Sequence, residues 1–321
     1  MDNLTHGLTG ALMGQMGLKK KTGLGLAALV LGANLPDIDV VGLLWLDSTE
    51  ALGFRRGITH GPIGVALLPI GLAALLWGFD RWQDGRGKRP ADRDPVSFKW
   101  LYILGLIGAI SHSLMDWLNV YGVRFLYPFD KSWYYGDTLF IIDLALWALL
   151  AISVFLSVRA ERRSGNWRRT AQIGMAVAVL YAGLNVAMTN LARSDIRMSE
   201  PYPQDYVASP AIAAFWVRER ILKAEDGRWY ANSWSGEEFA YGYKSSDAIQ
   251  CVVPDLSEDR KTNSQLDGFL TWTSAPIGER AEDGTVILRD ARFYDPLTRD
   301  RFSIALPDVI CIPLDGEPAA N

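Results

Sequence analysis

The chain has 321 residues, a net charge of −4 from 32 Lys and Arg against 36 Asp and Glu, and no arginine-rich arm or basic stripe. That balance excludes nucleic-acid binding driven by phosphate neutralisation. Hydrophobic residues make up 49% of the chain, but the long apolar runs stop near residue 192. This uneven spread predicts a membrane-embedded domain over 1–192 and a soluble, β-rich domain over 193–321.

Met1-Asp2-Asn3 offers neither a positive leader nor a small-residue cleavage site, so the first apolar segment is expected to be retained. Segment 4–18 is short and glycine-rich, and reads as a short span or a re-entrant helix. Segments 24–46, 62–79, 100–118, 138–158 and 171–191 reach or approach the roughly 20 apolar residues that cross a bilayer. Lys19, Lys20 and Lys21 form one basic cluster, Arg81 to Lys99 a second, and Arg159 to Arg169 a third. The loops between them, 47–61 and 119–137, carry only Arg55, Arg56, Arg124 and Lys131. Basic loops stay cytoplasmic. The expected fold is therefore an α-helical membrane bundle of about six spans, with the N-terminus and a C-terminal extracytoplasmic α+β domain, mainly β, on the outer side.

In that second domain, strand patterns occupy 228–234, 239–243, 285–293 and 301–306. The last two flank a turn at 294–299 and predict a hairpin; a short helix is expected over 211–223. Cys251 and Cys311 both lie here. An extracytoplasmic setting allows them a disulfide, and two buried thiols is the competing reading. With no histidine in the domain, a lid, substrate-gathering or assembly role is expected.

All three histidines sit in the first third of the chain, in polar islands within apolar sequence: Thr5-His6-Gly7, Arg56-Gly57-Ile58-Thr59-His60-Gly61 and Ser111-His112-Ser113. Polar groups are costly within a membrane unless they pair or bind something. His112 and Asp116 are spaced i, i+4, which aims both from one helical face. Imidazole and carboxylate together are metal-ligand chemistry, although a buried hydrogen-bonded pair has the same spacing. Pro36-Asp37-Ile38-Asp39 ends a helix and sends its two acids in different directions. We expect Asp39 on a metal and Asp37 orienting a histidine or acting as general base, or the reverse. Arg55 and Arg56 offer planar forks for an anionic substrate, or are ordinary surface arginines. His6 is a ligand candidate because of the company it keeps. Asp143, inside an apolar run, needs a partner, and the candidates are a metal, a residue that itself binds the metal, and a hydrogen bond to Asn119 or Tyr121.

The motifs Leu4-Thr5-His6-Gly7, Pro36-Asp37-Ile38-Asp39, Arg56 to Gly61, His112 to Gly122, Tyr127-Pro128-Phe129 and Phe140-Ile141-Ile142-Asp143 occur in this order over roughly residues 1–150. As a set they resemble the YdjM-like family of bacterial inner-membrane, metal-dependent hydrolases. More distantly, the order His, Asp, His, then His-x-x-x-Asp is similar to part of the zinc-dependent phospholipase C and single-strand nuclease superfamily. That resemblance implies one zinc on Asp39, His60, His112 and Asp116, with Asp116 bridging to a second ion near His6. No histidine follows His112, so the chain departs from the superfamily at the histidines that complete its third metal site, and the resemblance does not carry that metal or nuclease activity over.

The reading that results is an inner-membrane hydrolase using one or two Zn2+ ions, or another divalent metal, on a membrane lipid or lipid-linked phosphoester. A transporter with an intramembrane ion or proton path competes with it, as does an assembly protein with a structural metal.

Overall fold

The computed structural model describes residues 1–197, 205–211, 214–225, 227–233, 249–294 and 298–314. Helices in chain order are α1 (Asn3–Gln15), α2 (Gly25–Gly32), α3 (Ser48–Phe54), α4 (Pro62–Gly85), α5 (Phe98–Leu118), α6 (Leu144–Arg162), α7 (Trp167–Arg197), α8 (Asp259–Thr262) and α9 (Ser264–Trp272). The strands are β1 (Asp205–Ala211), β2 (Ala214–Lys223), β3 (Trp229–Ser233), β4 (Gln250–Cys251), β5 (Pro276–Arg280), β6 (Thr285–Asp290) and β7 (Ser303–Ile310). The chain divides into two units, residues 1–39 with 56–186, and residues 40–55 with 187–321.

The helical region holds four helices long and apolar enough to cross a membrane, α4, α5, α6 and α7. A fifth span arises if α2 and the 3-10 run Leu35–Leu44, bent by 51° between them, count as one. The bend has a chemical cause: Pro36 has no N–H to continue the helical ladder and disfavours helical geometry in the residue before it. Helix α1 starts where the Asp2 side chain accepts from the Leu4 and Thr5 amides. Its 13 residues make about 20 Å of helix, against a hydrocarbon core of about 30 Å.

Lipid is as apolar as leucine, so association of these helices depends on close packing rather than on the hydrophobic effect. Glycines provide it between α2 and α5. A Cβ on Gly32 would sit 2.6 Å from the Gly105 carbonyl oxygen, and one on Gly108 would sit 2.6 Å from the Ala33 nitrogen. Ala28, Leu29, Ala73, Leu101 and Leu104 fill the space among α2, α4 and α5. A second cluster, with Leu12, Leu146, Leu150, Ala171 and Ala178, joins α1, α6 and α7.

Helix α6 begins at Leu144, not at 138 as hydropathy alone suggested. The Thr138 and Leu139 amides both bond the Leu118 carbonyl at 2.9 Å, which holds that stretch extended. Asp143 then caps α6 by accepting from the Leu146 amide at 2.8 Å.

In the second unit, β1, β2 and β3 form one antiparallel sheet and β4, β5, β6 and β7 another. The helix expected over 211–223 is instead strand β2. Its buried Val217 and Ile221 are spaced i, i+4, which satisfies a helical stripe and an alternating strand equally, and pairing of β2 with both β1 and β3 decides for the strand. The hairpin expected near the C-terminus is present as β6 and β7. The strand expected over 239–243 and part of the 294–299 turn lie outside the described residues.

The second sheet closes on itself. The Val252 amide donates to the Ile312 carbonyl at 2.8 Å and the Leu314 amide to Gln250 at 3.0 Å, so the segment after β7 returns to β4. A Cys251–Cys311 disulfide, with Cα atoms 5.2 Å apart, staples that closure. Residues 40–55, which the sequence places with the helical region, belong to this unit. Helix α3 lies against α9, and a Cβ on Gly53 would be 2.8 Å from the Gly268 Cα, an approach open only to two glycines.

Candidate metal centre

The glycine contact between α2 and α5 also positions the first ligand candidate. One turn beyond Gly108, His112 Nδ1 lies 2.7 Å from the Ala33 carbonyl oxygen. In the 3-10 pattern that carbonyl would look to residue 36 for a donor, and Pro36 has none. His112 Nδ1–H supplies one, so the lone pair of the ring is on Nε2.

His60 is fixed the same way by different groups. Its Nδ1 is 2.9 Å from Thr59 Oγ1, and that hydroxyl lies 3.3 Å from Asp39 Oδ2. Nδ1–H donates to the hydroxyl, the hydroxyl donates to the carboxylate, and the lone pair of His60 is again on Nε2. Burial, the largest influence, holds His60 below the usual imidazole range, and the residue lies outside the candidate spans. It is neutral at pH 7.

The two Nε2 atoms face each other at 3.1 Å. Asp116 Oδ2 approaches both, at 3.3 Å from His60 and 3.4 Å from His112. Asp37 Oδ1 completes the group at 4.0 and 3.9 Å. One ligand atom from each of Asp37, His60, His112 and Asp116 falls within 4.8 Å of the others, and all four residues are buried. Two lone pairs and two carboxylates converging on one point repel one another unless a cation lies between them. The donor set of two nitrogens and two carboxylate oxygens suits a borderline divalent ion such as zinc. The residues present therefore fit a bound metal.

The structure places Asp37, not Asp39, in the group that could hold a metal. Asp39, expected on the metal, accepts the Arg56 amide at 2.7 Å and backs the Thr59 hydroxyl. Its carboxylate is drawn to the far side of the His60 ring, and Asp37, expected behind it, joins the ligand group. His6 is close but outside the four. Its Nε2 is 3.3 Å from Asp116 Oδ1, and its ring stacks on His112 with centroids 3.8 Å apart. The amino group of Met1 also pairs with Asp116 Oδ1.

Arg56 is not placed to hold a substrate anion. It is 4% exposed, with Nε 2.9 Å from Asp116 Oδ2 and Nη1 donating to Asn119 Oδ1 and the Gly122 carbonyl, both at 3.0 Å. A guanidinium so engaged aligns Asp116 instead. Its backbone sits at φ +54°, in the left-handed region that non-glycine residues seldom occupy, which lets the amide reach Asp39 while the side chain turns to Asp116. Arg55 is the C-cap of α3 and belongs to the other unit. Asp143 is not part of the four-residue group, and its described bonds go to neither Asn119 nor Tyr121; the Tyr181 hydroxyl of α7 donates to it at 2.8 Å.

No orienting role was expected from the sequence for Thr59 or Asn119, yet Thr59 holds His60 and Asn119 holds Arg56. A hydroxyl directly before a candidate ligand histidine was the available signal for Thr59. Thr59→Val is expected to free the His60 ring and weaken metal binding by roughly 10- to 100-fold. Thr59→Ser should keep it, as competition with a chelator would measure.

A family model described as YdjM inner membrane protein matches residues 1–192. The chain belongs to the YdjM family. No curated protein and no solved structure gives a significant match. The YdjM region contains every residue of the His and Asp cluster together with all but the last few residues of the candidate spans, so this is a multi-pass inner-membrane protein with a buried group able to hold a metal.

Proposed function

We propose that the protein is a membrane-embedded, metal-dependent hydrolase. Asp37, His60, His112 and Asp116 would hold a zinc ion or a similar divalent cation, and His6 with the other oxygen of Asp116 would serve a second. The carrying observation is the pair of Nε2 atoms turned toward each other at 3.1 Å beside two carboxylates. Once bound, such an ion supplies Lewis acidity, which acidifies water and polarises the bond under attack.

The chain's own residues do the rest. Asp37 is 7% exposed, against 1% or less for the other three ligand candidates, so it marks the side from which substrate and water approach. Its Oδ2, the oxygen not turned to the histidines, is the proton acceptor in this reading. Arg56 keeps Asp116 ionised and aligned, while Ala33 and Thr59 hold the two imidazoles in the tautomer that presents Nε2. A site reached through a helical membrane region suits an amphiphilic substrate, and a lipid or lipid-linked phosphoester is the class we favour.

The basic clusters at Lys19–Lys21, between Arg81 and Lys99, and between Arg159 and Arg169 support a cytoplasmic placement of those loops. The Cys251–Cys311 disulfide supports an extracytoplasmic C-terminal unit, since such bonds persist in oxidising compartments. With α1 counted, this gives six crossings.

The test is metal analysis of the detergent-purified protein followed by a panel of phosphoester and lipid substrates. Near-stoichiometric zinc and hydrolysis, both lost in H60A/H112A, are expected. Full occupancy in that double variant would remove the site, and metal without turnover on any ester would remove the enzyme.

A further inference from the structure

Helix α6 ends in a group of cations that the metal centre does not use. Phe155, Val158, Arg159 and Arg162 follow one another at helical spacing on a single face, and Arg163 continues it. Together they line a half-open cavity of about 400 Å3. The lower part is apolar, with Phe155 62% exposed, and the upper part is cationic. From Phe155 to Arg162 the helix rises roughly 10 Å, the distance from the acyl region into the headgroup layer.

The three guanidiniums make no side-chain hydrogen bond or ion pair among the described residues, whereas three basic residues of the other two clusters are paired. Lys19 pairs with Glu161 at 2.5 Å, and Arg89 and Arg93 both pair with Asp80. Glu161 is the one acid in the sequence from 144 to 194, and it is committed to Lys19. The negative end of the α6 dipole also favours cations, but that weak effect calls for neither three arginines nor an apolar floor beneath them.

We propose that this cavity binds the headgroup of an anionic phospholipid, with the phosphodiester on Arg159, Arg162 and Arg163 and the first acyl methylenes against Phe155 and Val158. Arginine forks match phosphate oxygens in paired hydrogen bonds, and basic residues at the end of a span draw anionic lipid from the bilayer. The site is independent of the metal centre.

The experiment uses the full chain in a neutral detergent and follows thermal unfolding while phosphatidylglycerol, phosphatidylcholine or inorganic phosphate is added. Phosphatidylglycerol should raise the melting temperature by several degrees in a saturable way, while phosphatidylcholine and phosphate at equal concentration should not. R159Q/R162Q should need roughly tenfold or more lipid for the same shift, and R159K/R162K, which retains charge but not the fork, should fall between that variant and the unaltered protein. Glutamine and lysine both favour helix, so the helix is preserved in either variant. Equal shifts from both lipids, an equal shift from phosphate alone, or an unchanged response of R159Q/R162Q would each overturn the proposal.

Discussion

Asp116→Asn is expected to strip the protein of metal and to destabilise it, although asparagine has nearly the same shape. Asp116 is fully buried and its two oxygens serve different neighbours. Oδ2 meets Arg56 Nε at 2.9 Å together with His60 and His112, whereas Oδ1 meets His6 Nε2 at 3.3 Å and Asn119 Nδ2 at 3.4 Å. Asparagine removes the charge that balances the Arg56 guanidinium. Breaking one side of a buried ion pair costs about 3–5 kcal/mol, and the Asn119 and Gly122 contacts of Arg56 place the expected loss near the lower end. Removing one of two carboxylate ligands lowers metal affinity beyond the roughly 100-fold limit seen for orienting residues. Elemental analysis after purification and thermal unfolding would measure both. A variant that keeps one metal per chain and an unchanged melting temperature would show that Asp116 is neither ligand nor keystone.

Gly108→Ala is expected to damage the same site without touching a ligand. The added methyl would lie 2.6 Å from the Ala33 nitrogen and 2.8 Å from both the Gly32 carbonyl carbon and the Leu29 carbonyl oxygen. All three are backbone atoms, so relief requires α2 and α5 to separate. Such overpacking costs about 1–3 kcal/mol. Moving the helices apart also lengthens the bond between His112 Nδ1 and Ala33, which fixes the ring tautomer. Gly71→Ala is the control, because a Cβ there meets nothing within 4 Å among the described residues. Metal content and melting temperature should both fall in the first variant and hold in the second. Equal behaviour of the two would disconnect helix packing from the site.

Much of the centre was legible in the sequence because its cost is visible there. Histidines and aspartates in apolar surroundings need partners, and His112 with Asp116 declared a shared helical face. The order of Asp37 and Asp39 was not legible, since their roles are decided by the Arg56 amide and the Thr59 hydroxyl, backbone and side-chain contacts with no periodic signature. Arg56 was misread for a related reason: a guanidinium beside a loop looks available until Asn119 and the Gly122 carbonyl are brought against it. In the C-terminal unit, β2 presented buried positions four apart, which helix and strand share, so only its pairing partners could decide. The membership of residues 40–55 depended on two glycines, Gly53 and Gly268, 215 positions apart in the chain.

The four ligand candidates are drawn from the run after α2, the loop before α4 and the last turns of α5, so the final two arrive only at positions 112 and 116. A nascent polypeptide halted by the ribosome before α5 has entered the bilayer would carry Asp37 and His60 alone, and could not capture an ion in this geometry. Any metal loading would thereby wait until well over a third of the chain has been made and α5 has docked.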